Sequence, residues 1–131
     1  MQFLLDTHIW LWSVAEPKNL SKTVAKEIES PESELWLSPI SVWETIVLTK
    51  KGRIKLDEEI EIWTSRALRS LSMKEAPVTI EIAREVGRVQ SSNNDLADNF
   101  IIATARVMGL TLITSDLQLL KTAGLSVLSN R

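Results

Sequence analysis

Short apolar runs alternate along this chain with longer segments that carry apolar residues at helical spacing. Phe3–Asp6 and Thr111–Thr114 are too continuously apolar for a half-exposed strand and are typical of buried parallel strands. Such alternation predicts an α/β/α sandwich with a small, mainly parallel central sheet and helices on both faces. Shorter strands are predicted at 35–37, 75–78 and 126–128, and helices at 7–15, 21–30, 39–51, 57–72, 79–89, 95–108 and 117–122.

Serine, proline and glycine set several of the predicted helix ends. Ser38 is a good N-cap, and Pro39 suits the first helical position after it. Gly52 and Gly109 are expected to end the helices that begin at 39 and 95. The polar cluster Ser91–Asn94 predicts a loop in the middle of the chain.

Length and composition limit the functions that are possible. The 131 residues predict one domain, 1–131, and the absence of cysteine excludes disulfides, thiolate zinc sites and cysteine nucleophiles. With no basic leader and no long apolar stretch, we expect a cytoplasmic protein without a membrane partner. The net charge of −2 argues against a general nucleic-acid coating protein, although metal-bound carboxylates would leave the remaining surface mildly basic.

Four acidic residues occupy positions that structure alone explains poorly: Asp6, Glu44, Asp98 and Asp116. Asp6 and Asp116 follow the two buried strands, at the rim where α/β folds bind ligands. Carboxylates that converge repel one another and resist leaving water, so a divalent cation is the expected compensation. A site made only of carboxylates favours the hard cations Mg²⁺ or Mn²⁺.

The other two acids fall inside predicted helices. Asp98 lies on an otherwise apolar face, and Asp95 is one turn earlier, so their Cβ atoms are expected about 5–6 Å apart. Glu44 lies at the margin of the stripe that is expected to face the core of its helix. That stripe consists of Ile40, Trp43 and Val47, and the face of Asp98 consists of Ile101, Ile102 and Ala105.

Each acid also has a purely structural interpretation. Asp6 can cap the first helix, Asp116 can begin a turn, and Glu44 can be a solvated helix residue. The helix dipole accounts for Asp95 at a helix start, but it accounts less well for Asp98. The joint placement of the acids, rather than any one of them, favours a metal site.

Four segments carry a resemblance to a known family: Leu-Leu-Asp-Thr-His at 4–8, Ser-Pro-Ile-Ser-Val-Trp-Glu at 38–44, Asp-Leu-Ala-Asp-Asn-Phe-Ile-Ile-Ala-Thr-Ala at 95–105 and Leu-Ile-Thr-Ser-Asp at 112–116. Together, in this order and spacing, they resemble the PIN-domain nucleases and, within them, the VapC-type toxins of toxin–antitoxin pairs. The resemblance extends over nearly the full chain and implies a single PIN domain.

The resemblance implies a specific activity. Asp6, Glu44, Asp98 and Asp116 would form a catalytic site for Mg²⁺ or Mn²⁺, with Thr114 as a nearby water or metal-shell contact. The protein would be an endoribonuclease that hydrolyses structured RNA, such as tRNA or ribosomal RNA, with a metal-activated water. The products would carry a 5′-phosphate and a 3′-hydroxyl. A homodimer and a small cognate antitoxin, as in type II toxin–antitoxin systems, are implied as partners.

The chain departs from the family in one motif. The common Asp-Pro-x-Asp-Arg signature appears here as Asp95, Leu96, Ala97, Asp98 and Asn99. Without the proline the helix begins differently, and without the arginine a possible phosphate contact is lost. Because no carboxylate is lost, the departure affects binding of the substrate rather than the hydrolysis itself. Asp95 either ligates the metal or orients the site.

Basic and aromatic residues leave two interpretations open. The basic residues after the third helix and on the fourth either contact RNA phosphates or form solvated helix surfaces. Trp43 and Trp63 are expected on apolar helix faces, and at least one of Trp10 and Trp12 near the surface or a subunit contact. His8 is not needed as a base beside a metal-bound water. The basic set is Lys50, Lys51, Arg53, Lys55, Arg66 and Arg69.

Two rival functions remain open from the sequence. A phosphatase-like metal hydrolase also has acids at strand ends, but the haloacid-dehalogenase pattern has a second aspartate where this chain has His8. A catalytically silent PIN-like module would bind RNA or a protein without cutting it. A Ser-His-Asp hydrolase is excluded because the chain has no Gly-x-Ser-x-Gly elbow.

Overall fold

A computed structural model describes residues 1–89 and 95–131, so the predicted loop Ser91–Asn94 lies outside the described residues. The strands are β1 Gln2–Leu5, β2 Glu34–Leu37, β3 Met73–Glu75, β4 Thr111–Thr114 and β5 Val127–Ser129. The helices are α1 Thr7–Ala15, α2 Lys22–Glu29, α3 Pro39–Lys50, α4 Ile60–Ser70, α5 Ile80–Val86, α6 Leu96–Met108 and α7 Leu117–Leu120, with a 3-10 turn at Pro17–Asn19.

The five strands form one sheet in the order β3-β2-β1-β4-β5. Each of the four neighbouring pairs is parallel, and the central strand β1 lies between β2 and β4. Leu5, the last residue of β1, is in register with Ile113, so the two central strands end side by side. This topology confirms the predicted parallel sheet and brings the residues after β1 and β4 to one edge.

Both faces of the sheet are buried, which explains why its central strands do not alternate apolar and polar residues. Phe3 and Leu5 pack on one face with residues of α1, α2 and α4, whereas Leu4 packs on the other face with α6. Helices therefore cover both faces, and the predicted α/β/α sandwich is confirmed. No helix within the described ranges is long and apolar enough to cross a membrane.

Several predicted elements have different boundaries, and for two of them the structure gives a reason. The third strand occupies Met73–Glu75 rather than 75–78, because Pro77 has no N–H for a ladder bond. The fourth helix begins at Ile60 rather than Asp57. Ile54 and Leu56 are half-buried and pack against the core, and the segment before α4 consists of turns and bends rather than helix.

The prediction of which face of α3 packs in the core is wrong. Trp43 is 52% exposed, while the fully buried residues of this helix are Ser41 and Thr45. Thr7 of α1 donates to Ser41 Oγ at 3.0 Å, and Thr45 donates to the Ser41 carbonyl at 2.8 Å. Because these small side chains are fully hydrogen-bonded, α3 packs closely on α1 through a polar line and turns its tryptophan outward.

The other tryptophan predictions are confirmed. Trp63 is buried, and its ring meets that of buried Trp10 edge-on at a centroid distance of 5.6 Å. Trp12 is half-buried, as expected for two tryptophans that cannot share one helical face.

Candidate metal centre

The carboxyl ends of β1 and β4 form the floor of an acidic site. Asp6 follows β1 directly, and its N–H donates to the Ile113 carbonyl at 3.0 Å, which locks the two strand ends together. Asp116 lies two residues beyond β4. The prediction that both acids lie on this rim is confirmed, and the rim is where parallel sheets bind ligands.

Asp6 is held by two donors. Its Oδ1 accepts the Thr7 N–H at 2.8 Å, and its Oδ2 accepts the Thr114 hydroxyl at 2.6 Å. The same Thr114 oxygen accepts the Asp116 N–H at 3.0 Å, so one hydroxyl connects both acids. Burial raises the pKa of Asp6, and the bonds from Thr114 and Thr7 oppose that shift.

The capping interpretation of Asp6 is also correct, and Asp116, for which a turn was the structural interpretation, is a helix cap as well. Asp6 caps α1, and Asp116 Oδ1 caps α7 by accepting the N–H groups of Gln118 at 2.8 Å and Leu119 at 3.4 Å. Capping does not preclude ligation, because a carboxylate has about four lone-pair sites. The caps instead fix the direction in which each carboxylate points.

Three more acids approach from helices. Glu44 lies on α3, Asp95 caps α6 by accepting the Asp98 N–H at 3.1 Å, and Asp98 lies in the first turn of α6. Each of the three offers a carboxylate oxygen within 4.8 Å of those of the other two. Asp95 is exposed, whereas Glu44 and Asp98 are half-buried.

The five acids act on one another electrostatically. Burial, followed by the charges of Asp6, Asp95, Glu44 and Asp116, raises the pKa of Asp98 to about 7. Burial also raises the pKa of Glu44, where a hydrogen bond with Thr7 opposes the charges of Asp95 and Asp6. Carboxylate oxygens that repel one another in this way suit a divalent cation. Such an ion would accept them as ligands and offset their negative charge.

The structure thus gathers the predicted acids in two groups. Glu44 and Asp98 join the 4.8 Å cluster, together with Asp95, whose role the sequence left open. Asp6 and Asp116 stand outside that cluster, but their charges reach Asp98. The sequence analysis missed Thr7, whose hydroxyl donates to Ser41 and also opposes the rise in the pKa of Glu44. A threonine after an aspartate gives no signal of such a role.

Among the described residues, no ion pair with lysine or arginine neutralises the floor of the site. In the described part of the chain, the ion pairs join Arg66 to Glu58, Lys74 to Glu34, and Glu85 to Arg88 and Arg106, and none includes Asp6, Glu44 or Asp116. The fold and the site therefore define an α/β protein with a cluster of carboxylates, able to hold a cation, at the carboxyl edge of its sheet.

Comparison with known proteins identifies the family. The sequence pattern of the PIN domain matches residues 3–125. The chain is 32% identical over 117 residues to Ribonuclease VapC22 of Mycobacterium tuberculosis, with 88% of each chain covered. The chain belongs to the PIN-domain family, and the resemblance predicted from its four sequence segments is confirmed. PIN nucleases use a divalent metal, and the acidic group described above has the donors to hold one.

Solved structures agree on the fold. VapBC2 from Rickettsia felis, bound to a DNA fragment from their promoter, matches with a TM-score of 0.73 at 16% identity over 98% of each chain. DNA-bound VapBC from Salmonella typhimurium matches with a TM-score of 0.70 at 14% identity, over 100% of this chain and 99% of that one. At these identities the likeness concerns the fold, and it confirms the PIN-like sandwich.

Proposed function

We propose that this chain is a metal-dependent endoribonuclease and the toxin of a type II toxin–antitoxin pair. Asp6, Glu44, Asp98 and Asp116 hold a catalytic Mg²⁺ or Mn²⁺ ion, and Asp95 completes or orients the set. The substrate is a structured RNA of the tRNA or ribosomal RNA class. The protein acts in the cytoplasm as a homodimer, and a small cognate antitoxin silences it.

One observation carries the metal site: carboxylates that follow β1 and β4 meet others from α3 and α6, and burial together with their charges raises the pKa of Asp98 to about 7. Hydrogen bonds from Thr7 and Thr114 fix Asp6 among these charges although they cannot neutralise them. Perturbed carboxylates of this kind cluster at functional sites.

The names of the relatives support the reaction and the partner. The relative with 32% identity is a ribonuclease. VapBC-5 from Mycobacterium tuberculosis, which matches with a TM-score of 0.61 at 18% identity, is described as a member of the VapBC family of toxin-antitoxin systems. We extend to this chain both the ribonuclease activity and the pairing with an antitoxin.

The chain's own residues prepare the hydrolysis. A bound divalent ion lowers the pKa of a water and shields the charge that develops on the phosphodiester. Asp6 and Asp116 are held rigidly by Thr114 and by helix caps, so their oxygens keep their positions during the reaction. Attack of water on phosphorus breaks the bond to the 3′ oxygen, which leaves as a hydroxyl, and the new 5′ end keeps the phosphate.

Cleavage of labelled tRNA by the purified chain tests the proposal. We expect 5′-phosphorylated fragments with Mg²⁺ and none with EDTA. Asp98→Asn should lower the rate by at least about a hundredfold, since loss of a ligand exceeds the roughly 10- to 100-fold effect of losing its hydrogen-bonded supports. The isosteric amide relieves repulsion, so the fold should persist by circular dichroism.

Asp57→Asn is the matched control, because Asp57 is an exposed carboxylate in the segment before α4. This variant should cleave like the wild type. Full activity of Asp98→Asn would reject the metal site. EDTA-insensitive RNA binding without products from the wild type would favour the silent module instead.

A further inference from the structure

We propose that a groove beside the acidic site holds an unpaired segment of the RNA substrate next to the scissile phosphate. His8 and Trp12 line one wall of this groove, and Arg53 and Lys55 line the other. Its volume of about 370 Å³ is within the roughly 300–1,000 Å³ typical of ligand pockets. The inference rests on the proposed ribonuclease function and names the residues that bind the substrate beside that same site.

The first wall is aromatic. His8 and Trp12 are one turn apart on α1, and their ring centroids lie 5.9 Å from each other with planes inclined by 58°. His8 is exposed and Trp12 half-buried, so both rings keep a surface open to the groove. Aromatic side chains of this kind stack on unpaired bases of any identity, whereas bases inside a duplex are not accessible to them.

The second wall is cationic and anchored. From Arg53 to Leu56 the residues alternate between exposed and half-buried, with Ile54 and Leu56 packed against the core. The Arg53 N–H donates to the Leu48 carbonyl at 2.9 Å, which ties the segment to the end of α3. Two apolar anchors therefore turn the intervening Arg53 and Lys55 toward solvent along a fixed backbone.

The charge of the groove suits a phosphate chain. Arg53 and Lys55 face a single lining carboxylate, Glu16, which already accepts a hydrogen bond from Asn19 at 2.9 Å. By contrast Arg66, also a candidate from the sequence, is paired with Glu58. Among the candidates named from the sequence, Arg53 and Lys55 thus combine freedom from the described ion pairs with a place in a groove that also offers stacking surfaces.

The groove adjoins the acidic site through His8, which lines it. His8 follows Asp6 by two residues at the start of α1. A strand whose phosphate reaches the acids would therefore pass His8 first. Arg53 and Lys55 would offset the arginine that Asn99 replaces in the family signature.

Binding of a short fluorescein-labelled oligouridylate, followed by fluorescence anisotropy on the Asp98→Asn background, tests the groove while the RNA stays intact. Removing two phosphate contacts in Arg53→Ala/Lys55→Ala should flatten the slope of log K against log salt by about 1.4, at about 0.7 per contact. Lys26→Ala/Arg84→Ala removes the same two charge types from exposed positions on α2 and α5 and should leave the slope unchanged.

The stacking surface is tested in the same assay. Trp12→Ala should weaken binding roughly 5- to 150-fold, and Trp12→Phe should restore most of it. An unchanged salt slope in the Arg53/Lys55 variant overturns the inference. If that variant instead loses affinity only for the cognate antitoxin, the groove docks a protein.

Failure of the inference is separable from failure of the proposed function. If the wild type cleaves RNA and every groove variant binds RNA unchanged, the nuclease proposal is supported and the groove proposal is rejected. If the groove variants lose RNA binding but the wild type shows no metal-dependent cleavage, the groove proposal is supported and the nuclease proposal is rejected.

Discussion

The acids at the strand ends and the acids on the helices are held in different ways. Asp6 and Asp116 accept hydrogen bonds from backbone N–H groups and from Thr114, so the fold determines where each oxygen lies. Glu44, Asp95 and Asp98 instead crowd within 4.8 Å of one another and raise the pKa values of Glu44 and Asp98, in addition to the effect of burial. The two strand-end acids are oriented by donors. On the helix side Asp95 also accepts the Asp98 N–H, but the three carboxylates there repel one another.

This difference separates positioning from charge. Donors on β4 and α7 orient carboxylates without adding a positive charge, although the bond from Thr114 also opposes the rise in the pKa of Asp6. The repulsion among the helix acids is relieved either by a proton or by a cation. A divalent ion should therefore stabilise the helix side of the site more than the strand side, and the predictions below test that contrast.

The largest expected effect is the stabilisation by metal. At a Mg²⁺ concentration of about 100 times Kd, the wild type should gain about 2.7 kcal/mol in unfolding free energy, seen as a rise of several degrees in Tm over EDTA. Asp98→Asn and Glu44→Gln should lose most of that rise because they remove cluster oxygens.

Asp116→Asn should lose less, since Asp116 stands outside the cluster and asparagine can keep the cap on α7. Asp57→Asn, at an exposed carboxylate that is not among the charges acting on Asp98, should respond to Mg²⁺ like the wild type. An equal loss in all three site variants would erase the contrast between the two groups.

The strand side of the site was predictable from sequence, and the helix side only in part. A buried apolar run followed by an aspartate marks a strand end with a carboxylate on its rim, which is how Asp6 and Asp116 were found. Gly109, with φ of +66°, also ends α6 as predicted, because that left-handed conformation suits glycine.

The orientation of α3 was not predictable in the same way. Ranking side chains by hydrophobicity places Trp43 inside, but the buried line is Ser41 and Thr45. Their burial depends on hydrogen bonds to Thr7 of α1 and to the helix backbone, which are tertiary facts with no periodic signal. Rotation of α3 onto this polar line is what brings Glu44 from the margin of the stripe to Asp98.

The next effect concerns the strand side alone. Thr114→Val removes the hydroxyl that donates to Asp6 and accepts from the Asp116 N–H. Metal affinity and cleavage should fall about 10- to 100-fold, as for other partners that orient a ligand. Stability should fall by about 1–3 kcal/mol, because a buried carboxylate oxygen loses its donor.

Two variants on β4 control this prediction. Thr114→Ser keeps the hydroxyl and should retain most activity. Thr111→Val removes another hydroxyl from the same strand, one bonded to Ser126 at 3.1 Å, and should leave cleavage unchanged. Equal losses in Thr111→Val and Thr114→Val would mean that the strand, rather than the contact with Asp6, matters.

The smallest effect is the pH dependence of stability in the metal-free protein. The pKa of Asp98 is raised from an ordinary 3.8 to about 7, so between these values the folded chain holds a proton that the unfolded chain has released. Because the unfolded state binds fewer protons there, stability falls as pH rises toward 7 and levels off above it. The raised pKa of Glu44, due first to burial, adds a contribution of the same sign.

Urea unfolding of wild type and Asp98→Asn at about pH 5 and about pH 8 measures the pH dependence of the unfolding free energy. The variant should gain on the wild type at the higher pH, and saturating Mg²⁺ should shrink that gain, since a bound cation replaces the proton in relieving the repulsion. If the difference in unfolding free energy between Asp98→Asn and the wild type does not grow with pH, the helix acids repel one another no more than those at the strand ends.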